Sequence, residues 1–315
     1  FIGDCGRPDL RENAGNITAT RNELAKQMYH SLRQKMLTLK NDVLVYPAHG
    51  AGSLCGKGLS AANVSTIGDE KKSNWSLQTM SEEEFVGKLL SDQPFIPHYF
   101  TFDVALNKKG AEDFNTAVGK VIRREPITCT SCAKALKDDL LLIDTRPHLQ
   151  FKKSHLKGAI NLMNDTKFET WLGSIVQPNE AFYLIAENEE ILNELIERAA
   201  KIGYEQNIAM AFVSSYGNSA VELFNSENLS NRLDDFTILD IRNESEVKTK
   251  KTFANSINIP LYELRERVNE IPTNKAILIH CAGGYRSAAG TSIVKGILED
   301  KVKVYDLSED VVRFK

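Results

Sequence analysis

Residues 237–260, TILDIRNESEVKTKKTFANSINIP, read as a strand ending at Asp240, an Asp-x-Arg turn, a polar stretch, and a second short strand around Asn258. The same grammar occurs once before. Residues 141–162, LLIDTRPHLQFKKSHLKGAINL, run through Asp144 and Arg146 to Asn161, a separation of 17 positions against 18 from Asp240 to Asn258. Further on, AFYLIAENEE (181–190) matches AILIHCAGGY (276–285), a reading that sets Glu187 where Cys281 stands. Helical segments over 190–201 and 287–298 alternate with these strands. Two copies of one small βα unit with a largely parallel sheet are therefore expected, near 113–225 and 226–315.

The whole chain sets bounds on this reading. Its 315 residues suit two or three domains, and 39 basic against 42 acidic side chains leave no surplus for a phosphate backbone, so nucleic acid is not an expected partner. No apolar run approaches the roughly 20 residues of a membrane-spanning helix. Five cysteines, an odd number, argue for a reducing compartment, with cytoplasm the expected location. The chain opens Phe1-Ile-Gly-Asp4, as if at the tail of a strand, and is expected to be part of a longer polypeptide.

Upstream of the repeat lies a block expected to end near residue 112. Leu24, Met28, Leu32, Met36 and Leu39 recur at helical spacing, Asp42 to Pro47 predicts a buried strand, and AHGAGSLCGKG (48–58) follows as a loop. Ser81 with Glu84 has the form of a capping box starting a helix through Leu90, and DQPFIPHYF (92–100) is expected to pack its aromatic side chains on this block. Cys129-x-x-Cys132 has the spacing of half a zinc site or a redox pair; both are read as residues at a domain start. His30 and His98 are assigned to packing, and His148 and His155 receive no catalytic role.

HCAGGYRSAAG (280–290) carries the clearest chemistry. A loop leaving a buried strand for a helix can turn its N–H groups inward, and Gly283 and Gly284 permit the dihedrals this needs. With Cys281 at its start, the loop N–H groups, the helix N-terminus and Arg286 all favour a thiolate nucleophile. Four residues, Ala282, Gly283, Gly284 and Tyr285, separate cysteine from arginine. That ring is tighter than the five-residue spacing of cysteine phosphatases and suits a single sulfur atom.

This loop, with Asp240-x-Arg242 and the Asn258 strand, resembles the active domain of the rhodanese family of sulfurtransferases. The resemblance implies that Cys281 carries a persulfide held by the backbone of residues 282–286, with Asp240 and Arg242 in support. The stretch before Asn258 departs from the family in lacking its histidine-glycine pair. The first copy resembles the family too, but without cysteine, glycines or arginine it is expected to be silent, a spacer or docking surface.

FIGDCGRPDL, VYPAHGAGSLCGKGLS, STIGDEKKSNWSLQ, PFIPHYF and DVALNKKGA resemble the carboxyl-terminal half of the metallo-β-lactamase superfamily, in its persulfide dioxygenase branch. The expected fold is thus α/β: half of an αββα domain followed by two rhodanese-like α/β domains. The resemblance implies a mononuclear Fe(II) that uses oxygen to convert a low-molecular-weight thiol persulfide to sulfite, with Cys281 transfer to sulfite yielding thiosulfate. It places Arg7, Asp9, His49 and Cys55 near that centre, with His49 a candidate metal ligand and the other ligands upstream of Phe1. Lys71 and Lys72 match a region that binds substrate carboxylates. A homo-oligomer is expected. Two other readings stay open: a glyoxalase II-like thioester hydrolase, with two metals such as zinc, fused to a rhodanese, and a non-catalytic sulfur-sensing or docking module.

Overall fold

The computed structural model describes residues 2–12, 18–50, 54, 56, 58–137 and 139–315. The chain divides into two compact units, Phe1–Ile96 with Phe100–Ala105, and Pro97–Tyr99 with Leu106–Lys315. No helix among the described residues is long and apolar enough to cross a membrane.

In the first unit, Thr20 and Glu23 form a reciprocal capping box at the start of helix Arg21–Ser31, which runs on as a π turn, Leu32–Met36. Ala25 and Leu32 bury against Leu77, Phe85 and Leu89. Helix Glu82–Leu90 is capped by Ser81, whose side chain accepts from the Glu84 N–H at 3.1 Å. The buried strand expected over 42–47 shrinks to β1 (Leu44–Val45), antiparallel to β2 (Ser65–Thr66). Only Val45 turns to Ile2 and Ile67, while Leu44 and Tyr46 are 58% and 72% exposed. A two-stranded ribbon covered on one face buries alternate residues, so an apolar run here does not mean a buried strand.

The second unit holds both repeats, each built on a parallel sheet. β3 (Arg123–Ile127), β4 (Leu141–Asp144), β5 (Ile160–Asn161), β6 (Phe182–Ala186) and β7 (Ile208–Ser214) take the order β3-β7-β6-β4-β5. β8 (Phe236–Asp240), β9 (Ile257–Asn258), β10 (Ala276–His280) and β11 (Val304–Asp306) take the order β11-β10-β8-β9. All pairings in both sheets are parallel. Asp144 lies beside Asn161, and Asp240 beside Asn258. This explains the repeated motif. Asn258 Nδ2 donates to the carbonyls of Asp240 and Arg242 at 2.7 and 2.9 Å, and Asn161 does the same to Asp144 and Arg146 at 3.1 and 2.9 Å. Each arginine in turn forks onto its own aspartate and reaches a carbonyl eight residues on, Ser154 or Lys250, at 3.0 Å. The motif ties the turn after a central strand to the neighbouring strand and to the following loop.

The two copies share a polar seam. Lys152 of the first is buried against Asp306 of the second at 2.8 Å and donates to Ser308 Oγ at 2.7 Å. Asn161 N–H donates to Ser292 Oγ at 2.9 Å, and Arg265 forks onto Glu180 at 2.7 and 2.8 Å. Helix Tyr285–Leu298 is consequently buried almost throughout from Ser287 to Val294. Removing one partner of a buried pair strands the other charge, at a cost of about 3–5 kcal/mol. Asp306 keeps the N–H and hydroxyl of Ser308. Lys152→Met should therefore destabilise by about 3 kcal/mol, read from urea unfolding; a loss below about 1 kcal/mol, the range of an exposed pair, would show the seam to be weak.

Candidate functional site

β10 runs between β8 and β11, so residue 281 leaves the carboxyl end of a central strand, where parallel sheets present chemistry. The backbone turns through 281–284 and enters helix Tyr285–Leu298. Cys281 is only 2% exposed, and its Sγ accepts the Gly284 N–H at 3.2 Å. Gly284 has φ +104°, and a Cβ there would come within 3.2 Å of both the backbone and the carboxyl group of Glu309. Glycine is the residue that both the dihedral and the space require. Ser287 Oγ donates to the Gly284 carbonyl at 2.9 Å and fixes the first helical turn. A Cβ built on Gly283 would meet nothing within 4 Å, so the loop faces open space there.

Arg286 is the second residue of the helix, and its guanidinium forks onto Glu246 at 2.6 and 2.9 Å. Glu246 also accepts the Asn243 N–H at 3.1 Å, capping helix Glu244–Thr249. One carboxylate thereby fixes a helix start and the loop's arginine. Burial works against the Glu246 charge, yet the Arg286 hydrogen bonds and charge hold its carboxyl below the usual range. Burial also opposes the Arg286 charge, with Glu246, then Cys281 and Asp240, holding it protonated. The cation reaches Cys281 through its field, its hydrogen bonds being spent on Glu246. Sequence reading missed Glu246, which sits 40 positions away.

Asp240 is fully buried under this loop and engaged by Arg242 at 2.9 and 2.6 Å. His280, also missed, is fully buried directly before the cysteine; its Nε2 lies 3.7 Å from Asp240 and makes no hydrogen bond. Burial pulls its pKa down against the pull of Asp240, so the ring is neutral. A polar residue closing an apolar strand was the available signal.

The first copy supplies part of the surroundings. Tyr285 OH donates to the Met163 carbonyl at 3.1 Å, Arg286 lies 5.8 Å from the Trp171 ring centre, and His148 Nε2 is 3.1 Å from Glu309. The copy expected to be a spacer is a wall of the cysteine loop. Its own loop also needs a correction. β8 pairs Asp240 with His280, and β4 pairs Asp144 with Ile185, so the position equivalent to Cys281 is Ala186; Glu187 falls one place later, opposite Ala282. The ladder agrees with the end-to-end match of 181–190 to 276–285, which the expectation for Glu187 missed by one place. Asn188 then caps helix Glu189–Ala200, accepting the Ile191 N–H at 2.9 Å, with Glu189 and Glu190 in its first turn. Glu187, Asn188, Glu189 and Glu190 thus stand where Ala282, the two glycines and Tyr285 stand, and the three carboxylates repel an anion. Ala186→Cys, in a chain with Cys281→Ser, should give no sulfur transfer above background in a thiosulfate and cyanide assay. Transfer above a tenth of the wild-type rate would show that a cysteine at this strand end suffices.

In the first unit, buried Arg7 forks onto Asp9 at 3.2 and 2.5 Å and donates to the Leu54 carbonyl at 2.9 Å. The two brace one another and hold the loop in which Cys55 falls; Cys55 itself lies outside the described residues. Lys71 is bound to Leu39 O and Asn41 Oδ1 at 3.0 and 2.9 Å, while Lys72 is exposed beside Asp69. Asp4 accepts the N–H groups of Cys5 and Gly58, and Glu70 those of Gly3 and Asn74 Nδ2; all these bonds are structural. His49 is exposed. Among the described residues, no group of three or more His, Cys, Asp or Glu is placed to hold a metal. The two-histidine, one-carboxylate set that the resemblance implies is not assembled among them.

The sequence model of the rhodanese-like domain family matches residues 128–211 and again 225–313, together more than half of the chain. The persulfide dioxygenase ETHE1, mitochondrial, of Homo sapiens is 36% identical over 86 residues, 27% of this chain and 26% of that protein. The protein of the same name from Mus musculus is 35% identical over 86 residues, with the same coverage. The chain thus spans about a quarter of the length of these curated relatives. A crystal structure of a metallo-β-lactamase from Staphylococcus aureus subsp. aureus COL superposes with a TM-score of 0.54 at 31% identity, over 68% of this chain and 57% of that one.

Proposed function

Since this chain belongs to the rhodanese-like domain family, carried twice in a fusion of metallo-β-lactamase and rhodanese kind, we propose that it transfers sulfane sulfur through Cys281. The observation that carries the reading is the loop itself: a buried cysteine sulfur receiving the Gly284 N–H, at a helix N-terminus, beside a fixed arginine. The Cys281 thiolate attacks the outer sulfur of a persulfide R–S–SH; the donor S–S bond breaks, and R–S⁻ leaves with the electron pair and takes up a proton. The Cys281 persulfide is then attacked at its outer sulfur by sulfite, releasing thiosulfate and the thiolate. Loop N–H groups and the Arg286 field stabilise the anionic sulfur in both steps. Glu246 and Asp240 position the loop.

The finer reading joins this transfer to iron-dependent oxidation of a low-molecular-weight thiol persulfide to sulfite, with oxygen, in a cytoplasmic homo-oligomer. Its support is the persulfide dioxygenase kinship, and Arg7 with Asp9 then brace the loop beside that centre. Sulfite made by one unit would be the acceptor used by the other. The test of the transfer reading uses the purified chain with glutathione persulfide and sulfite. Enzymatic thiosulfate is expected; formation no faster than without protein sinks the reading.

A further inference from the structure

The first copy has lost its loop cysteine but carries two others, in Cys129-Thr-Ser-Cys132. Cys129 stands before the short helix Thr130–Ala133, and its Sγ accepts the Cys132 N–H at 3.3 Å and lies 3.1 Å from Ser131 Oγ. Residues three apart across a helical turn have Cα atoms within the range a disulfide spans, and Cys129 Sγ already lies 3.3 Å from the Cys132 nitrogen. Both cysteines are partly exposed, and Cys132 packs against the core cluster that contains Phe151. The segment is anchored around the pair: Thr130 Oγ1 bonds Tyr216 OH at 2.7 Å, and Arg124 holds the Cys132 carbonyl at 3.3 Å. Among the described residues no third His, Cys, Asp or Glu joins the two thiols. An accessible thiol backed by a half-buried partner is the arrangement of an attacking and a resolving cysteine.

We propose that Cys129 and Cys132 are a second sulfane-sulfur site, in which Cys129 takes sulfur from a low-molecular-weight persulfide and Cys132 closes the pair to a disulfide. The Cys129 thiolate attacks the outer sulfur of R–S–SH, the donor S–S bond breaks, and R–SH leaves after protonation. Cys132, giving its proton to solvent, then attacks Cys129 Sγ, and HS⁻ departs with the electron pair. Two thiols are oxidised by two electrons, and the sulfane sulfur is reduced to sulfide. Hydrogen bonds from the Cys132 thiol, the Ser131 hydroxyl and the Cys132 N–H, in that order, bring the Cys129 pKa down to about 7, so much of it is thiolate at neutral pH. Cys5 makes the contrast: burial, then Asp4, pushes its pKa up to about 12.

The donor class comes from the proposed function, but the step does not use Cys281. The experiment therefore uses the whole chain with Cys281→Ser, reduced, exposed to glutathione persulfide, alkylated, and read by peptide mass. The expected result is a Cys129–Cys132 disulfide with one sulfide released for each. Adding Cys132→Ser should leave one extra sulfur on Cys129 and no disulfide, and adding Cys129→Ser should leave Cys132 unmodified. Without persulfide, Cys129 should alkylate at least about tenfold faster than Cys5 at neutral pH. If the intact pair stays reduced, or sulfur stops on Cys129 with Cys132 present, or Cys132 reacts without Cys129, the proposal is overturned. Any of these leaves transfer at Cys281 untouched, and its failure would leave this site untouched.

Discussion

Cys281→Ser should lower sulfur transfer by at least about 10³-fold, to the level of the uncatalysed reaction. A hydroxyl neither ionises comparably at neutral pH nor carries a sulfane sulfur, so the covalent half of the reaction has no carrier. The fold should be indifferent to the change. Serine is nearly isosteric, can take the Gly284 N–H that now points at Sγ at 3.2 Å, and leaves the Arg286–Glu246 fork and the Asp240–Arg242 pair intact. Urea unfolding should move by less than about 1 kcal/mol. Retention of even a tenth of the activity would mean that the sulfur travels by another route.

Arg286→Ala should cost about 10²–10³-fold, the range for removing one stabiliser of a developing anion. The alanine variant removes the cation near the sulfur and also frees Glu246, whose uncompensated charge then faces the loop. Arg286→Lys keeps the charge but not the planar fork, and should lose about tenfold. Glu246→Gln retains the cation and one acceptor oxygen, so it should lose less than Arg286→Ala does. Because the folded-state pKa of Glu246 is depressed below its ordinary 4.5, the clamp is fully present above that value and is lost as pH falls through the lower, folded one. Wild-type transfer should thus show no loss from this pair between about pH 7 and about pH 5. Equal losses in Arg286→Ala and Arg286→Lys would assign the effect to loop geometry alone.

The legible parts of this molecule were those fixed by local rules. Asp-x-Arg followed by an apolar-Asn-apolar strand could be read as one unit because the two strands lie side by side, Asp240 against Asn258. The loop after His280 could be read because glycine, cysteine and helix start fall within a few positions. What could not be read depends on distant partners. Glu246 holds Arg286 from another helix, and Lys152 meets Asp306 from another copy, so neither has a signature in its neighbourhood. The shift from Ala186 to Glu187 was a miscount by one: aligned end to end, 181–190 and 276–285 already set Ala186 against Cys281, and the sheet register agrees. The strand around Val45 formed, but shorter and less buried than expected, because apolar content does not reveal how many faces a ribbon has covered.

The most direct measurement is the mass of the Cys281 peptide after the reduced wild-type chain is mixed with thiosulfate labelled in its outer sulfur, stripped of small molecules, and digested without reductant. The account predicts one labelled sulfur on Cys281, lost on addition of cyanide with the label recovered in thiocyanate. An unmodified Cys281 peptide from protein that still transfers the label would contradict it.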